Sequence, residues 1–328
     1  MREITIKKND AGQRLDKFLS KSLKRLPPSL MYKAIRTKKI KLNRKRTEAN
    51  VMLCEGDTLQ LFLADDIFGE NVGSAASLAK IKPNFGIVYE DDNIILCDKK
   101  AGMLSHSEDE NGEETLAEHI KAYLYGKGEY NPDEEQSFAP ALCNRIDRNT
   151  SGIVIAAKNA VALREMNEII RLREMDKTYL CAVHGIPEKN QGELRGYLVK
   201  DSAKNEVTVS THRPNRKDAK TIVTGYKVLA KSGDLALLEV ELITGRTHQI
   251  RAHLASIGHP LLGDGKYGIN QNDRKAGYNH QALYSYSVTF KRKDGPLGYL
   301  CGRRFEANKE NIYFLELFPQ KNGKSKRS

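Results

Sequence analysis

The densest group of reactive side chains is Cys143-Asn144-Arg145-Ile146-Asp147-Arg148-Asn149-Thr150-Ser151-Gly152. It runs directly into the apolar stretch Ile153-Val154-Ile155-Ala156-Ala157. Polar residues at the mouth of a buried strand are held rigidly and are well placed to line a pocket. Asp147 stands between Arg145 and Arg148. Opposite charge nearby keeps a carboxylate ionised, and an ionised carboxylate can act as nucleophile or base. At the level of spacing a second reading stays open, in which Asp147 caps a turn and the arginines bind a phosphate without catalysis.

A second group is Thr244-Gly245-Arg246-Thr247-His248-Gln249-Ile250-Arg251-Ala252-His253-Leu254, continuing to Gly258-His259-Pro260-Leu261-Leu262-Gly263-Asp264. Gly245 ends a strand, and Thr247 is the expected cap of a helix over 247–257. His248, Arg251 and Ala252 then share one helix face at i, i+3 and i+4. His248 and His253 are five residues apart and point to different faces. There is no HExxH and no carboxylate beside either histidine, so no metal site is expected. A cationic Arg251 on the inner face is suited to holding a buried carboxylate. A third group, Lys177-Thr178-Tyr179-Leu180-Cys181-Ala182-Val183-His184-Gly185, reads as a strand with Tyr179 near its start, a position at which a tyrosine is most often packing.

These groups need a scaffold of about two domains, since 328 residues at roughly 100–200 per domain give that number. Strand candidates are 94–97, 153–157, 179–183, 222–229, 235–242, 288–290 and 312–317; helix candidates are 115–124, 160–171 and 247–257. Strands and helices do not alternate regularly. The expected fold is therefore α+β: a small basic α/β domain, then a body over 83–319 with a mixed, largely antiparallel central sheet.

Residues 1–64 read as a self-contained module. Ile4 and Ile6 alternate. Leu15, Phe18, Leu19 and Leu23 recur at helical spacing. Pro27-Pro28 stops that helix and Ser29 is the expected cap of the next, which turns Leu30, Ala34 and Ile35 inward and Lys33, Arg36, Lys38 and Lys39 outward. The strand Ile40–Asn43 and the basic turn Arg44-Lys45-Arg46 follow, then a turn at Glu55-Gly56-Asp57 and the strand 58–63. Residues 65–82, with Gly69, Gly73, Ser74, Ala75, Ala76 and Ser77, read as a linker. Acidic residues within 106–114 and 133–135 read as solvated loops, and the tail 320–328 as disordered.

Charge follows this division. The chain carries 54 Lys+Arg and 42 Asp+Glu, a formal +12. Residues 1–64 hold 16 basic and 6 acidic groups, a balance of +10, and the tail holds four basic groups and no acid. The span 65–319 is close to neutral at −2. That asymmetry points to an electrostatic binding module, for a polyanion such as nucleic acid, attached to a body with another task. A merely solvated basic face is the alternative. It is disfavoured because Lys33, Arg36, Lys38, Lys39, Lys41, Arg44, Lys45 and Arg46 surround one helix–turn–strand unit.

Several classes drop out. No apolar run approaches the roughly 20 residues of a membrane span, and Met-Arg-Glu-Ile-Thr-Ile-Lys-Lys lacks the apolar core of a signal peptide. The five cysteines are odd in number, widely spaced and without a CxxC pair, which argues against a disulfide framework or a cysteine zinc site. A cytoplasmic location is expected.

The N-terminal module resembles the alpha-L RNA-binding domain named after a small-subunit ribosomal protein. The likeness rests on Arg14-Leu15-Asp16-Lys17-Phe18-Leu19 and Ile35-Arg36-Thr37-Lys38-Lys39-Ile40-Lys41-Leu42-Asn43. In that family a Gly is common where Lys39 and Arg44 stand. The body resembles the RluA-type pseudouridine synthases. Their HRLDRDTSG element is here NRIDRNTSG, with Asn144 for His and Asn149 for Asp. Their GRTHQIRxHLxxxGHPxxGDxxYG element is closely met by 245–268. Their KxYxAxVxG element is met by Lys177, Tyr179, Val183 and Gly185, with Ala182 shifted by one. KPAGxxxH corresponds to Lys99–His106 with Lys100 for Pro, and HxAxxLxF begins at His280-Gln281-Ala282. The combination resembles the large-subunit ribosomal RNA enzymes that carry an alpha-L domain.

The resemblance implies an isomerase that detaches uracil from its ribose within RNA, rotates it and rejoins it through carbon 5. It implies Asp147 as the essential carboxylate, Tyr179 as stacking and proton-transfer residue, and Arg251 as the ion-pair partner of Asp147. It implies that Arg145 fills the space of the flipped nucleotide. Arg148, Arg246 and His248 join Arg145 and the eight N-terminal cations as expected RNA contacts. Isomerisation needs no redox carrier, metal or nucleotide cofactor, and no GxGxxG or Walker motif occurs. The expected partner is RNA, ribosomal RNA or a pre-ribosomal particle, with neither membrane nor DNA, and no oligomer is required. Alternatives are a transfer-RNA-directed synthase, an inactive synthase fold serving as an RNA-binding assembly factor, and an RNA glycosidase or nuclease. The last needs a second placed carboxylate.

Overall fold

Leu15, Phe18 and Leu19 fall on one face at three- and four-residue spacing and are fully buried, so helix α1 (Leu15–Ser22) packs along that face. Helix α2 (Pro28–Arg36) buries Met31, Ala34 and Ile35 in the same way. It begins two residues earlier than expected. Pro28 occupies its first turn, where the missing N–H is harmless, and Pro27 rather than Ser29 stands at the cap. These helices belong to a computed structural model that describes residues 1–68, 74–106, 114–201, 206–268 and 270–319.

Strands β1 (Arg2–Thr5), β2 (Ile40–Leu42), β3 (Lys45–Arg46) and β4 (Thr58–Leu61) form an antiparallel sheet in the order β1-β4-β2-β3. Ile6, Ile40, Leu53, Leu59, Leu61 and Phe68 close the core with the two helices. The β2–β3 turn places Asn43 at φ 51° and Arg44 at φ 62°. Two successive positive φ values suit the twist of a two-residue hairpin. Asn43 tolerates that conformation; its Nδ2 donates to Asp57 Oδ1 at 2.7 Å, and its Oδ1 accepts the Thr58 N–H at 2.8 Å. The Arg44 N–H donates to Gln60 Oε1 at 2.8 Å. The expected cations lie around this unit. Lys33, Arg36, Lys38, Lys39, Arg44, Lys45 and Arg46 are exposed, and Lys41, half-buried, sits 5.4 Å from the Phe62 ring centroid.

The chain divides into two compact units, and the first is larger than the 1–64 module. It comprises Met1–Asn84, Ala117–Ala141 and Ala157–Arg164. Specific hydrogen bonds explain the grouping. Gln13 donates to Ser137 Oγ at 2.8 Å, Ser137 Oγ donates to Asp10 Oδ1 at 2.6 Å, and Arg164 donates to the Ala11 carbonyl at 3.0 Å. The acidic segment 133–135 is therefore more than solvated. Lys7 donates to the Glu134 carbonyl at 2.6 Å and Asn9 to Glu135 at 3.3 Å. The described part of 65–82 is also structured: Asp65–Ile67 form a 3-10 turn, Phe68 is buried in the core, and Ser74–Leu78 form α3. Gly69 and Gly73, most of the acidic stretch 106–114 and the tail 320–328 lie outside the described residues.

The second unit comprises Phe85–Leu116, Leu142–Ala156 and Glu165–Ser328. The elements that follow α3 in the chain are β5 (Gly86–Glu90), β6 (Ile94–Lys99), α4 (Leu116–Gly126), β7 (Ala141–Leu142), β8 (Ser151–Ala157), α5 (Ala160–Leu172), β9 (Met175–His184), β10 (Gln191–Asp201), β11 (Glu206–Ser210), β12 (Lys220–Ser232), β13 (Leu235–Leu242), α6 (Gln249–Ser256), α7 (Asn270–Lys275), β14 (Leu283–Phe290) and β15 (Arg304–Glu306). The main path of the sheet is β11-β10-β12-β13-β9-β14-β8-β6-β5. Pairing is antiparallel from β11 through β14 and between β5 and β6, and parallel between β14 and β8. The fold is α+β with a mixed, largely antiparallel sheet.

The sequence expectation omits β5, β7, β10, β11, α7 and β15 and places one strand where none forms. Strands β10 and β11 carry too many polar residues and glycines to read as strands, because they lie toward the edge of the sheet and bury little. The expected strand 312–317 instead contains the 3-10 helix Tyr313–Leu317, in which Phe314 alone is buried. Among the described residues no helix is long and apolar enough to cross a membrane.

One glycine sets the geometry beneath the Asp147 loop. Gly152 (φ 108°) pairs with Ser285 across β8 and β14, and a Cβ there would come within 2.3 Å of the Ser285 carbonyl oxygen. Overpacking against backbone adds to the strain of a positive φ, so Gly152→Ala is expected to lower the unfolding free energy by roughly 3 kcal/mol or more. Urea denaturation of the purified protein checks this.

Candidate active site

The loop before β8 presents its side chains because its backbone is tied down. The Thr150 N–H donates to the Asp147 carbonyl at 3.0 Å, closing a turn. Ser105 Oγ donates to the Ile146 carbonyl at 3.0 Å, and the Gly102 N–H donates to the Arg148 carbonyl at 3.0 Å. Asn144 Oδ1 accepts the Ile155 N–H at 2.8 Å, and Gln281 Nε2 donates to Thr150 Oγ1 at 3.1 Å. Asn144, the departure from the family's His, thus fastens the loop to β8.

Lys99 is the deepest of these fasteners. It is fully buried, and its Nζ donates to the carbonyls of Lys100, Met103 and Arg148 at 3.0, 2.8 and 2.9 Å. Three acceptors match the three protons of an ammonium group. Burial draws its pKa down to about 8, opposed by the negative charge of Asp147.

Asp147 lines a cavity of about 850 Å³ together with Arg145, Arg148, Lys177, Tyr179, Arg246, His248 and Arg251. Arg251, on α6, is the central contact. Its Nη1 donates to Asp147 Oδ2 at 2.8 Å, while its Nε and Nη2 grip the two oxygens of Asp264 at 2.8 Å each. Asp264 is completely buried. Burial works to raise its carboxyl, but the Arg251 hydrogen bonds and charge and the amides of Lys266 and Tyr267 prevail and hold it below the usual carboxylate range. Burial opposes the Arg251 charge too, and the two carboxylates push its pKa further up. Among the described residues Asp147 Oδ1 accepts no hydrogen bond, so one oxygen of Asp147 is anchored and the other is open to the cavity.

Tyr179 lies on β9 between the hydrophobic core and the cavity, packed with Cys181, Val240 and Leu283. Burial pushes its hydroxyl up to about 12, partly opposed by the Ser285 hydroxyl and reinforced by the Asp147 charge. The phenol therefore stays protonated. Arg145, Arg148 and Arg246 are exposed at the rim, with Arg148 Nε donating to the Gly102 carbonyl at 3.0 Å. The cavity thus has one free carboxylate oxygen and a cationic lining suited to a polyanion.

Helix α6 begins later than expected. Gln249, not Thr247, organises its start: Gln249 Oε1 accepts from Thr244 Oγ1 at 2.9 Å and from the Arg246 N–H at 3.1 Å. His248 precedes the helix in a left-handed conformation (φ 52°) and makes no side-chain cap, so it does not share the helical face of Arg251. Its ring nonetheless turns into the cavity. Asp264, Tyr267, Lys99 and Gln281 carry no site role in the sequence reading. Asp264 and Tyr267 fall in the element matching GDxxYG and Lys99 in the one matching KPAGxxxH, so the signal lay in those motifs. Nothing local shows that Asp264 meets Arg251 thirteen residues earlier. Among the described residues no group of three or more His, Cys, Asp or Glu could hold a metal ion.

The family described as RNA pseudouridylate synthase matches residues 93–256. An uncharacterised RNA pseudouridine synthase of Mycoplasma pneumoniae is 32% identical, over 86% of this chain and 86% of that protein. Ribosomal large subunit pseudouridine synthase C of Escherichia coli is 30% identical, over 88% of this chain and 87% of its own length. The solved structure of human RNA pseudouridylate synthase domain containing 4 covers 74% of this chain and 94% of its own, with a TM-score of 0.56 at 21% identity, a likeness of fold.

Removing Asp264 leaves the buried Arg251 with Asp147 as its sole carboxylate partner. Asp264→Ala is expected to destabilise the protein by about 3–5 kcal/mol, as for other broken buried ion pairs. Chemical denaturation of the variant against the parent measures it.

Proposed function

The chain belongs to the RNA pseudouridylate synthase family and is an isomerase; from that premise we propose that it converts specific uridines of large-subunit ribosomal RNA to pseudouridine through Asp147. The observation that carries the reading is the asymmetry of that carboxylate. Oδ2 is held by Arg251 at 2.8 Å while Oδ1 is open to the cavity, as a nucleophile or base requires.

The reaction moves one bond and one proton. The C1′–N1 bond breaks, C1′ joins carbon 5, and the proton leaving carbon 5 is balanced by one gained at N1. A target inside a helix must first leave its stack, at a cost of a few kcal/mol. The Tyr179 ring offers a face for the flipped uracil, and Arg145 at the rim offers a cation to replace the lost stacking. Asp147 then acts on the ribose or the base, with Arg251 stabilising its charge. The reading of ribosomal RNA as substrate draws on the printed names of relatives such as the Escherichia coli enzyme. Lys33, Arg36, Lys38, Lys39, Lys41, Arg44, Lys45 and Arg46 are assigned to phosphate contacts of the N-terminal module, which position the RNA without reading its sequence.

An RNA glycosidase or nuclease needs a second carboxylate that reaches substrate. Asp264 is fully buried and both its oxygens are bound by Arg251, which leaves it no such role.

Two measurements test the proposal. Asp147→Asn keeps the shape but not the charge, and its pseudouridine formation in large-subunit ribosomal RNA should fall by roughly a thousandfold or more; retained turnover overturns the role of Asp147. Pseudouridine mapping in cells lacking the protein identifies the RNA, and a loss confined to transfer RNA overturns the ribosomal target. Separately, replacing Lys33, Arg36, Lys38 and Lys39 by glutamine should flatten the salt dependence of RNA binding by about 0.7–0.9 in log–log slope per lost phosphate contact. The rate at saturating RNA should be unchanged.

A further inference from the structure

His248 makes contacts that an RNA-binding role does not explain. Its backbone adopts a left-handed conformation rarely taken by non-glycine residues, and only 9% of its side chain is exposed. Such an outlier persists where its surroundings impose it, and it often marks a functional constraint. Here the ring is held on one side and faces a carboxylate on the other. Nδ1 lies 2.8 Å from Tyr267 Oη, with the two rings edge to face at 5.7 Å between centroids. On the other side Nε2 lies 3.8 Å from Asp147 Oδ2.

The Tyr267 hydroxyl selects which nitrogen carries the proton. It already accepts the Val207 N–H at 3.0 Å, so its own proton is directed to Nδ1. His248 then carries hydrogen on Nε2, the nitrogen that faces the carboxylate; the opposite tautomer would set a lone pair against Asp147. The groups facing the ring are Asp147, Arg251, Lys266, Asp264 and Tyr267. Burial lowers the His248 pKa; the Asp147 charge, next in size, raises it, Arg251 and Lys266 lower it and Asp264 raises it, and the net shift is downward, which favours the neutral ring near pH 7. Burial likewise raises the Tyr267 pKa and keeps its proton in place.

We propose that His248 is a positioning residue for Asp147, its donor nitrogen set by Tyr267 and the Val207 amide. This rests on Asp147 being the reactive carboxylate. The 3.8 Å separation is longer than a hydrogen bond, and catalytic contacts commonly tighten only once substrate is bound. Closure of Nε2–H onto Oδ2 gives that oxygen a second donor beside Arg251. Both donors then fix the carboxylate rotation and leave Oδ1 as the oxygen that meets substrate. The relay begins at Val207 on β11, so it links an outer strand of the sheet to the reactive group.

The test is a double-mutant cycle with His248→Ala, Tyr267→Phe and the pair, on an unmodified large-subunit ribosomal RNA transcript, under single-turnover conditions at saturating RNA. Each single variant is expected to slow isomerisation by about tenfold or more, the scale of a misplaced reacting group. The double variant should be no slower than His248→Ala, because Tyr267 acts through His248. RNA affinity should stay within about twofold of the parent, the split expected when an interaction serves the reaction rather than binding. His248→Gln, whose amide nitrogen lies as many bonds from Cβ as Nε2, should recover part of the rate, and it carries the test if the alanine variant does not fold. Multiplied losses in the double variant overturn the proposal, as does weakened RNA binding with an intact saturating rate. An inactive parent protein overturns the proposed function itself, whereas an active parent with an unaffected His248→Ala overturns this inference alone.

Discussion

A single buried guanidinium organises the second unit's chemistry. Arg251 lies between two carboxylates that would otherwise have no reason to be near each other, and it treats them differently. Asp264 receives two hydrogen bonds and is wholly enclosed; Asp147 receives one and keeps its other oxygen open. Burying a charge is tolerable when its hydrogen-bonding capacity is met. Asp264 meets that need for Arg251, and the amides of Lys266 and Tyr267 add to it for Asp264, which leaves the same cation able to hold Asp147 with its remaining donor. One side chain thus takes part in two ion pairs, one wholly enclosed and one facing the cavity.

Charge is divided again at the level of the chain. The first unit has cations on the surface of a helix–turn–strand module, solvated and individually weak, which act by number and with a salt dependence. The cavity of the second unit has exposed arginines at its rim, but within it Arg251 and Asp147 meet in one defined geometry. What distinguishes that pair is direction, such as which oxygen of Asp147 is held, and no count of charges reports that.

Legibility in the sequence follows the same physics. The α+β class, the helices over 15–22 and 160–172, and most central strands were readable, because each buries an apolar face, whereas the helix over 249–256, buried on all sides, was readable from the residues that precede it. Asp147, Tyr179 and Arg251 were readable from motif resemblance, and they do line one cavity. What stayed hidden depends on contacts distant in the chain or on backbone conformation. Lys99 looks like one more surface lysine until three carbonyls are seen around it. Strands β10 and β11 are too polar to betray themselves by periodicity, since sheet-edge strands bury little. His248 read as a residue on the helical face of Arg251, and its left-handed backbone, which no spacing rule predicts, instead turns it toward Tyr267. The first unit likewise recruits 134–137 and Arg164 through individual hydrogen bonds that leave no pattern in composition.

The fasteners of the Asp147 loop have a consequence for the medium in which the protein works. Asn144, Ser105, Thr150 and Gln281 hold the loop with groups that do not ionise, so acid leaves those ties untouched. Lys99 is the exception. Its three-carbonyl grip requires the ammonium form, and burial has drawn its pKa down to about 8. Loss of one proton leaves two N–H groups for three carbonyls, so one of the three ties is given up as the medium turns basic. The loop then rests more on its neutral ties, which pH does not reach.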